Sequence, residues 1–350
     1  MTTRPKPTAR GRRGPVTMKD VARAAGVSQS TVSRILNDAP VRIPVSDETR
    51  ERVRAVAAEL GYRPHPFARA LRGAPTMLLG AIVRDITDLF FATAIEALST
   101  EARNRGYSVV LGHAARRADE ALALTAVLEA RQCDAVILLG DFRDEPLLVR
   151  DLRDTPLSTV AVWHGSDLHA FPTVSVDNVA GIVAALTHLS GLGHRRIAFV
   201  GGESLGDIRE RQAAFERYHR DLGARLPRGY VQHVQNTTRG GEAAFDALFA
   251  GKTPPTAIVA ATDVLAIGVV FAAQSRGVAV PGDLSVVGFD DIPIASAIFP
   301  GLTTVRMPVA EMVAVAIDIA TGRVPADDGG RTAVFAPELV VRGTTGPAPA

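Results

Sequence analysis

Apolar and polar positions recur with helical spacing through residues 17–62, after which the rhythm changes. Met18, Val21, Ala22 and Ala25 fall at i, i+3, i+4 and i+7, giving a short helix one apolar face, and Gly26 ends it. Ser28 is a natural N-cap for a second helix with Val32, Ile35 and Leu36 inward and Gln29, Ser30, Ser33 and Arg34 outward. A third helix opens at Ser46, buries Val53, Val56, Ala57 and Leu60, and stops at Gly61 ahead of Pro64. Three such helices make one small all-α core. Pro66–Arg72 predicts about two further turns, too short to be stable alone in water, so that segment needs a partner or DNA.

From Met77 onward, strand-like apolar runs alternate with amphipathic helices, the pattern of a mostly parallel, doubly wound α/β sheet. Strands are expected at Leu78–Val83, Tyr107–Leu111, Ala135–Leu139, Thr159–Trp163, Arg196–Val200, Ala257–Ala260 and Leu284–Phe289. The length of this part exceeds a usual single α/β core. Two similar lobes are therefore expected, divided near Ala170–Val176, where the rhythm pauses at Pro172. There is no short-period repeat.

Composition adds a division of charge. The 350-residue chain is 47% hydrophobic and 22% charged, ordinary for a globular protein, and carries a net charge of +2. Residues 1–73 hold 15 Lys and Arg against six Asp and Glu, whereas the remainder holds 24 against 31. Any polyanion-binding surface is thus expected at the N-terminal end. Residues 1–15 are basic, without acidic residues and nearly without large apolar ones, so they read as a disordered arm that either adds non-specific phosphate contacts or serves as a solubilising tail. The single cysteine, Cys133, excludes an intramolecular disulfide framework and a cysteine-rich metal site, in keeping with a reducing cytoplasm. No secretory signal follows the basic arm, and no apolar run reaches the roughly 20 residues needed to span a bilayer.

Residues 17–37, TMKDVARAAGVSQSTVSRILN, place a helix, a glycine-bearing turn and a second helix at helix-turn-helix spacing. Spacing alone also suits other small three-helix domains. The outward residues add chemistry: Arg34 can fork onto guanine N7 and O6 in a major groove, and the hydroxyls of Thr31 and Ser33 suit phosphate oxygens.

The run V-T-M-K-D-V-A-R-A-A-G-V-S-Q-S-T-V-S-R-I-L-N resembles the N-terminal signature of the lactose/galactose repressor family. V-S-D-E-T-R-E-R-V, L-G-Y-R-P and F-A-R-A-L-R are similar to its third helix and hinge, and V-G-F-D-D-I-P and L-T-T-V-R to its sensor core, so that the resemblance covers about residues 16–343. It implies a helix-turn-helix headpiece joined to a two-lobed α/β core like that of type I periplasmic binding proteins. The expected layout is an arm at 1–15, the DNA-binding domain at 16–63, a hinge helix and linker at 64–75, an effector-binding core at 76–343 and a tail at 344–350. Within the core, one lobe takes about 76–173 and 306–335, and the other about 174–305 and 336–343. The resemblance further implies a cytoplasmic, non-enzymatic repressor without cofactor or metal, binding a palindromic operator as a homodimer. Its implied effector is a sugar, polyol or nucleobase-like molecule.

Carried over by position, Gln29, Ser30 and Arg34 match base-reading residues, with Thr17, Ser28, Thr31, Ser33 and Asn37 mostly at phosphate-contacting positions. Leu71 matches the hinge leucine that wedges into the minor groove, its bland alternative being packing against the core. The C-terminal RGTTGPAPA lacks the leucine heptads of a tetramerising bundle.

Ligands of open α/β sheets bind beyond the carboxyl ends of the strands. Asp85–Phe91, Gly140–Phe142 and Trp163–His164 follow predicted strands, and Asp263 and Asp290 end two others. By resemblance, Phe90 and Phe91 match an aromatic pair that stacks the effector, Arg211 in R-E-R-Q-A-A-F a ligand-binding arginine, and Asp290 in G-F-D-D a hydrogen-bonding carboxylate. Trp163 and His164 stand at ligand-facing positions. The chain departs from the family at Asp88, where D-L-F-F replaces N-P-F-F, at Thr262 in place of asparagine, and at Met307 in place of glutamine. Those departures leave the effector open. Phe91 as plain core and Asp291 as a helix cap are the competing structural readings.

An enzyme is the main rival, since Gly251-Lys252-Thr253 superficially resembles a phosphate loop, but Asp246 stands where its first glycine belongs and the segment follows a helix. G-L-G-H-R-R ends a helix and precedes a strand, the reverse of a dinucleotide fingerprint, and there is no HExxH. An extracytoplasmic sugar-binding protein would share the core fold; the missing signal and the helix-turn-helix argue against it.

Overall fold

The computed structural model describes residues 16–36, 45–62, 75–142, 148, 150, 152, 155–163, 171–202, 206–324 and 333–349. The arm, the Pro66–Arg72 segment, Asn37, Leu71 and His164 lie outside the described residues. The chain divides into two compact units, Met1–Thr76 and Met77–Ala350.

The first unit holds α1 (Met18–Ala25), α2 (Gln29–Leu36) and α3 (Asp47–Glu59) around Val21, Ala25, Val32, Ile35, Val53 and Ala57. Side chains near the helix starts satisfy otherwise orphaned donors. The Thr17 N–H and hydroxyl both donate to Asp20, at 3.0 and 2.6 Å, holding its carboxyl below the usual range, while Ser46 accepts from the Thr49 N–H at 3.3 Å. Gly26 and Gly61 close their helices at φ +66° and +65°, and a Cβ at either would meet open space, so backbone conformation is what calls for glycine. Two expectations fail here. Ser33 is 5% exposed, because it lies one turn from Leu36 and joins the buried face instead of the outward one. Leu60, just beyond α3, is exposed.

The second unit contains two six-stranded sheets. To the first belong β1 (Leu78–Val83), β2 (Ser108–His113), β3 (Ala135–Leu139), β4 (Ser158–Val162), β5 (Thr173–Val176) and β11 (Ala333–Phe335), in the order β11-β5-β4-β3-β1-β2, all parallel. The second holds β6 (Ile197–Gly201), β7 (Val231–His233), β8 (Ala257–Ala260), β9 (Ser285–Asp290), β10 (Thr303–Arg306) and β12 (Glu338–Val340), in the order β12-β10-β9-β8-β6-β7. Among the described residues, only the β10–β12 pair is antiparallel. The central strands are almost wholly buried and mostly apolar because helices cover both faces.

Helices α4 (Leu89–Asn104), α5 (Ala118–Ala130), α6 (Asn178–Gly191), α7 (Gly206–Asp221), α8 (Thr238–Phe249), α9 (Asp263–Ser275), α10 (Pro293–Ala297) and α11 (Val309–Ala320) pack around these sheets. Among the described residues no helix is long and apolar enough to cross a membrane. Helices α8 and α9 approach so closely that a Cβ on Gly268 would lie 2.0 Å from the Thr238 carbonyl oxygen.

Two boundaries move. The division, expected near Ala170–Val176, comes at the end of that stretch, because Thr173 and Val174 register with Ala161 and Val162 of the first sheet. The expected tail is packed: buried Thr344 accepts from the Thr303 N–H at 2.8 Å and donates to the Val286 carbonyl at 2.7 Å, and the Ala348 N–H reaches the Leu192 carbonyl at 2.9 Å.

Candidate functional site

In the first unit, Gln29, Ser30 and Arg34 are exposed, and Ser30 and Arg34 stand one turn apart on the same face of α2. Ser28 accepts the Thr31 N–H at 3.1 Å, and its hydroxyl lies 2.7 Å from that of Ser30 and 2.8 Å from that of Thr31. The start of α2 thus presents linked hydroxyls beside an exposed guanidinium, donors suited to phosphate oxygens and to base edges. Thr17 is exposed at the start of α1, whereas buried Ser33 is not placed to touch a phosphate.

In the second unit, the carboxyl ends of the strands converge on a cleft. The first sheet contributes Arg84, which follows β1, Asp141, which follows β3, and Trp163, which follows β4, together with Asp88, Phe90 and Phe91 at the start of α4. From the second come Asn236 beyond β7, Thr262 beyond β8, Asp290 ending β9, Met307 beyond β10, and Asp207, Ile208 and Arg211 of α7.

One wall is aromatic. Phe90 meets Trp163 edge-to-face at 4.8 Å and Phe91 at 5.3 Å, and Arg84 lies over the Phe91 ring at 4.8 Å. Trp163 at φ +54° and Asp290 at φ +115° hold a left-handed backbone that non-glycine residues rarely adopt, and such strain gathers at functional sites. The buried Trp163 indole N–H has no hydrogen-bond partner among the described residues.

The polar floor is built on Arg211. Its Nε donates to Asn178 Oδ1 at 2.8 Å, and Nη1 donates to the Ala261 carbonyl at 2.6 Å and to Asp290 at 3.3 Å. The guanidinium carbon lies 3.6 Å from the centre of the Phe289 ring. Burial pushes the Asp290 carboxyl well up, with Arg211 opposing it. Burial likewise pushes Asp207 up to about 6, with Arg211 opposing and the Asp141 and Glu210 carboxylates reinforcing. Across the cleft, Thr262 donates to Asn236 at 2.6 Å, and Asn236 and Arg84 both donate to Asp88 Oδ2, at 3.2 and 3.0 Å. The Gly206 N–H reaches Asp141 at 2.5 Å. Both Asn236–Asp88 and Gly206–Asp141 join one lobe to the other.

Of the residues expected around an effector, Asp88, Phe90, Phe91, Trp163, Arg211, Thr262 and Asp290 line this cleft. Asp263 does not. Fully buried, it accepts the Thr304 hydroxyl at 2.5 Å and the Ile292 N–H at 2.9 Å, tying the start of α9 to β10 and to the turn after β9. Asp291 faces Arg306 at 2.7 Å and Arg342 at 2.6 Å instead of capping a helix. Sequence reasoning did not single out Arg84, Asp207, Ile208 or Asn236. Arg84 directly follows a predicted strand, which is a usable signal; Asn236 follows a three-residue edge strand that gives none. Among the described residues, no group of three or more His, Cys, Asp or Glu side chains could hold a metal.

Comparison with known proteins adds identity to geometry. Residues 17–65 match the family described as "Bacterial regulatory proteins, lacI family", and residues 186–345 match a "Periplasmic binding protein-like domain". The chain is 32% identical over 309 residues to catabolite control protein A of Priestia megaterium, covering 87% of this chain and 92% of that one. It is 31% identical over 331 residues to the HTH-type transcriptional repressor CytR of Escherichia coli strain K12, covering 94% and 96%. The crystal structure of the lac repressor dimer bound to operator and the anti-inducer ONPF superposes with a TM-score of 0.84 at 27% identity, covering 95% of this chain and all of that one.

Proposed function

The chain belongs to the lacI family of bacterial regulatory proteins, and from that premise we propose that it binds a near-palindromic operator as a homodimer and answers to a small sugar, polyol or nucleobase-like effector in the interlobe cleft. The observation that carries the sensing half is the convergence of Arg211, Asp290, Thr262, Asp88 and the Phe90–Trp163 wall on one cleft. Hydroxyl-rich ligands need that combination of apolar faces and convergent polar groups. The lac repressor dimer bound to operator and anti-inducer, which this fold matches over nearly its whole length, supports the dimer and the two ligands.

Gln29, Ser30 and Arg34 read base edges in this account, Thr17, Ser28, Thr31 and Asn37 hold phosphates, and Leu71 enters the minor groove. A two-fold dimer presents two α2 helices to two half-sites. Effector binding remakes the Asn236–Asp88 and Gly206–Asp141 bridges, reorients the lobes and so governs whether the paired hinge segments order on DNA. The protein acts by binding instead of catalysis, uses no cofactor, and works in the cytoplasm on chromosomal DNA.

A thermal-shift screen of sugars, polyols and nucleobases, followed by gel-shift titration with each hit, tests the reading. A ligand that raises the melting temperature and changes DNA affinity in either direction supports it. Hits that stabilise the protein but leave DNA binding unchanged overturn it.

A further inference from the structure

Three cleft groups are left under-satisfied: Asp207 asks for a donor, whereas the Trp163 indole N–H and the Arg84 Nε–H ask for acceptors. The Asp207 carboxylate accepts one hydrogen bond among the described residues, from Asn178 Nδ2 at 3.2 Å, and feels the Arg211 charge on one hand and the like charges of Asp141 and Glu210 on the other. The Trp163 indole N–H, on a residue only 3% exposed, has no acceptor among the described residues. Asp207 therefore calls for a donor, and gains most from a cationic one, because a charge-assisted hydrogen bond is about twice as strong as a neutral one. Trp163 calls for an acceptor oxygen.

Arg211 attracts the Asp207 charge, but among the described residues no arginine donates a hydrogen bond to it. Arg84 is engaged with Asp88 at 3.0 Å, and Arg211 is committed to Asn178, the Ala261 carbonyl and Asp290. We propose that the cleft selects a polyhydroxylated small molecule bearing a protonated amine, its ammonium held by Asp207 and one of its oxygens accepting from the Trp163 indole N–H. Amino sugars and amino-polyols are the matching class. The inference rests on the interlobe cleft being the effector site. A hydroxyl in place of the amine would satisfy the geometry at Asp207 and leave its charge uncompensated, and an anionic ligand would meet the carboxylates.

Isothermal titration of the full chain at pH 7.5 tests this with matched series: glucose, glucosamine and N-acetylglucosamine, then the galactose and mannose counterparts. In one series the free amine is expected to bind about tenfold or more tighter than both neutral relatives, a gain of about 1.4 kcal/mol. Asp207→Asn, with folding checked by thermal melting, removes that preference, and Trp163→Phe weakens amine and parent sugar alike. Neutral sugars binding within about threefold of the amines, or a preference that survives in Asp207→Asn, overturns the amine assignment and leaves the effector cleft standing. Failure of every compound in the three series to bind overturns the amine assignment; it overturns the effector cleft as well only if the thermal-shift screen of sugars, polyols and nucleobases also gives no hit.

Discussion

Arg211 and Asp290 meet on the floor of the cleft at 3.3 Å, with both side chains almost wholly enclosed. Taking one partner away leaves the other charge buried and uncompensated. Arg211→Ala is expected to destabilise the core by about 3–5 kcal/mol in urea denaturation and to abolish the effector response, while DNA binding persists below the melting transition. Arg211→Ala with Asp290→Asn should lose less than the sum of the single changes, because the stranded carboxylate is gone. A retained effector response in folded Arg211→Ala contradicts the cleft assignment.

Asp263 resembles a cleft carboxylate in sequence but is a tie between elements. Replacing it by alanine strands the Thr304 hydroxyl and the Ile292 N–H in the interior. We expect a loss of about 2–4 kcal/mol in stability, with effector affinity within about threefold of the wild type by titration. Reduced affinity at unchanged stability would return Asp263 to the site.

The pH dependence of Asp207 has a definite sign. Its carboxyl protonates near pH 6 in the folded chain against an ordinary 3.8, raised by burial and by Asp141 and Glu210 against the pull of Arg211 and the Asn178 hydrogen bond. Ionised Asp207 therefore counts against the folded state. The penalty is absent below about pH 4, grows from there to about pH 6, and is constant above. Asp207→Asn should accordingly raise stability by about 1–3 kcal/mol at pH 7.5, with the gain vanishing near pH 4 in parallel denaturation series.

Gly268 tests the packing of α8 on α9. A Cβ there would stand 2.0 Å from the Thr238 carbonyl oxygen and 3.0 Å from Gly241 Cα, both backbone atoms that no side-chain rotation relieves. Gly268→Ala should cost at least about 2 kcal/mol in core stability and leave the helical signal of the first unit intact. A neutral effect contradicts the helix contact.

Much of this was legible because single residues carried distinct physical signals. Ser46 and Thr17 stand where helix starts need acceptors or reciprocal partners, and Gly26 and Gly61 where the chain turns left-handed. Central strands such as Ala135–Leu139 are unbroken apolar runs. Three-residue edge strands are different: Val231–His233 is only partly buried and reads as loop, and with it Asn236 was hidden. Ser33 misled because a small polar side chain fits a crowded helix face as well as an exposed one. Asp263 and Asp290 both come at or just after the end of an apolar strand run, and only packing separates the buried tie from the cleft acid.

Exposed Arg34, one turn from Ser30, predicts a base-specific contact. Arg34→Ala should cost about 1–3 kcal/mol on the preferred duplex and relax discrimination at one position in each half-site, read by competition gel shift. A uniform loss across all sequences would make it a phosphate contact instead.

The most direct test of the account is selection of duplexes from a random library by the full chain, followed by titration of the enriched duplex between about 50 and 200 mM salt. A near-palindrome should emerge, with its half-sites about one helical turn apart, and log affinity should fall linearly with log salt concentration. Absence of enrichment, or an affinity indifferent to salt, would contradict a dimeric, sequence-reading regulator.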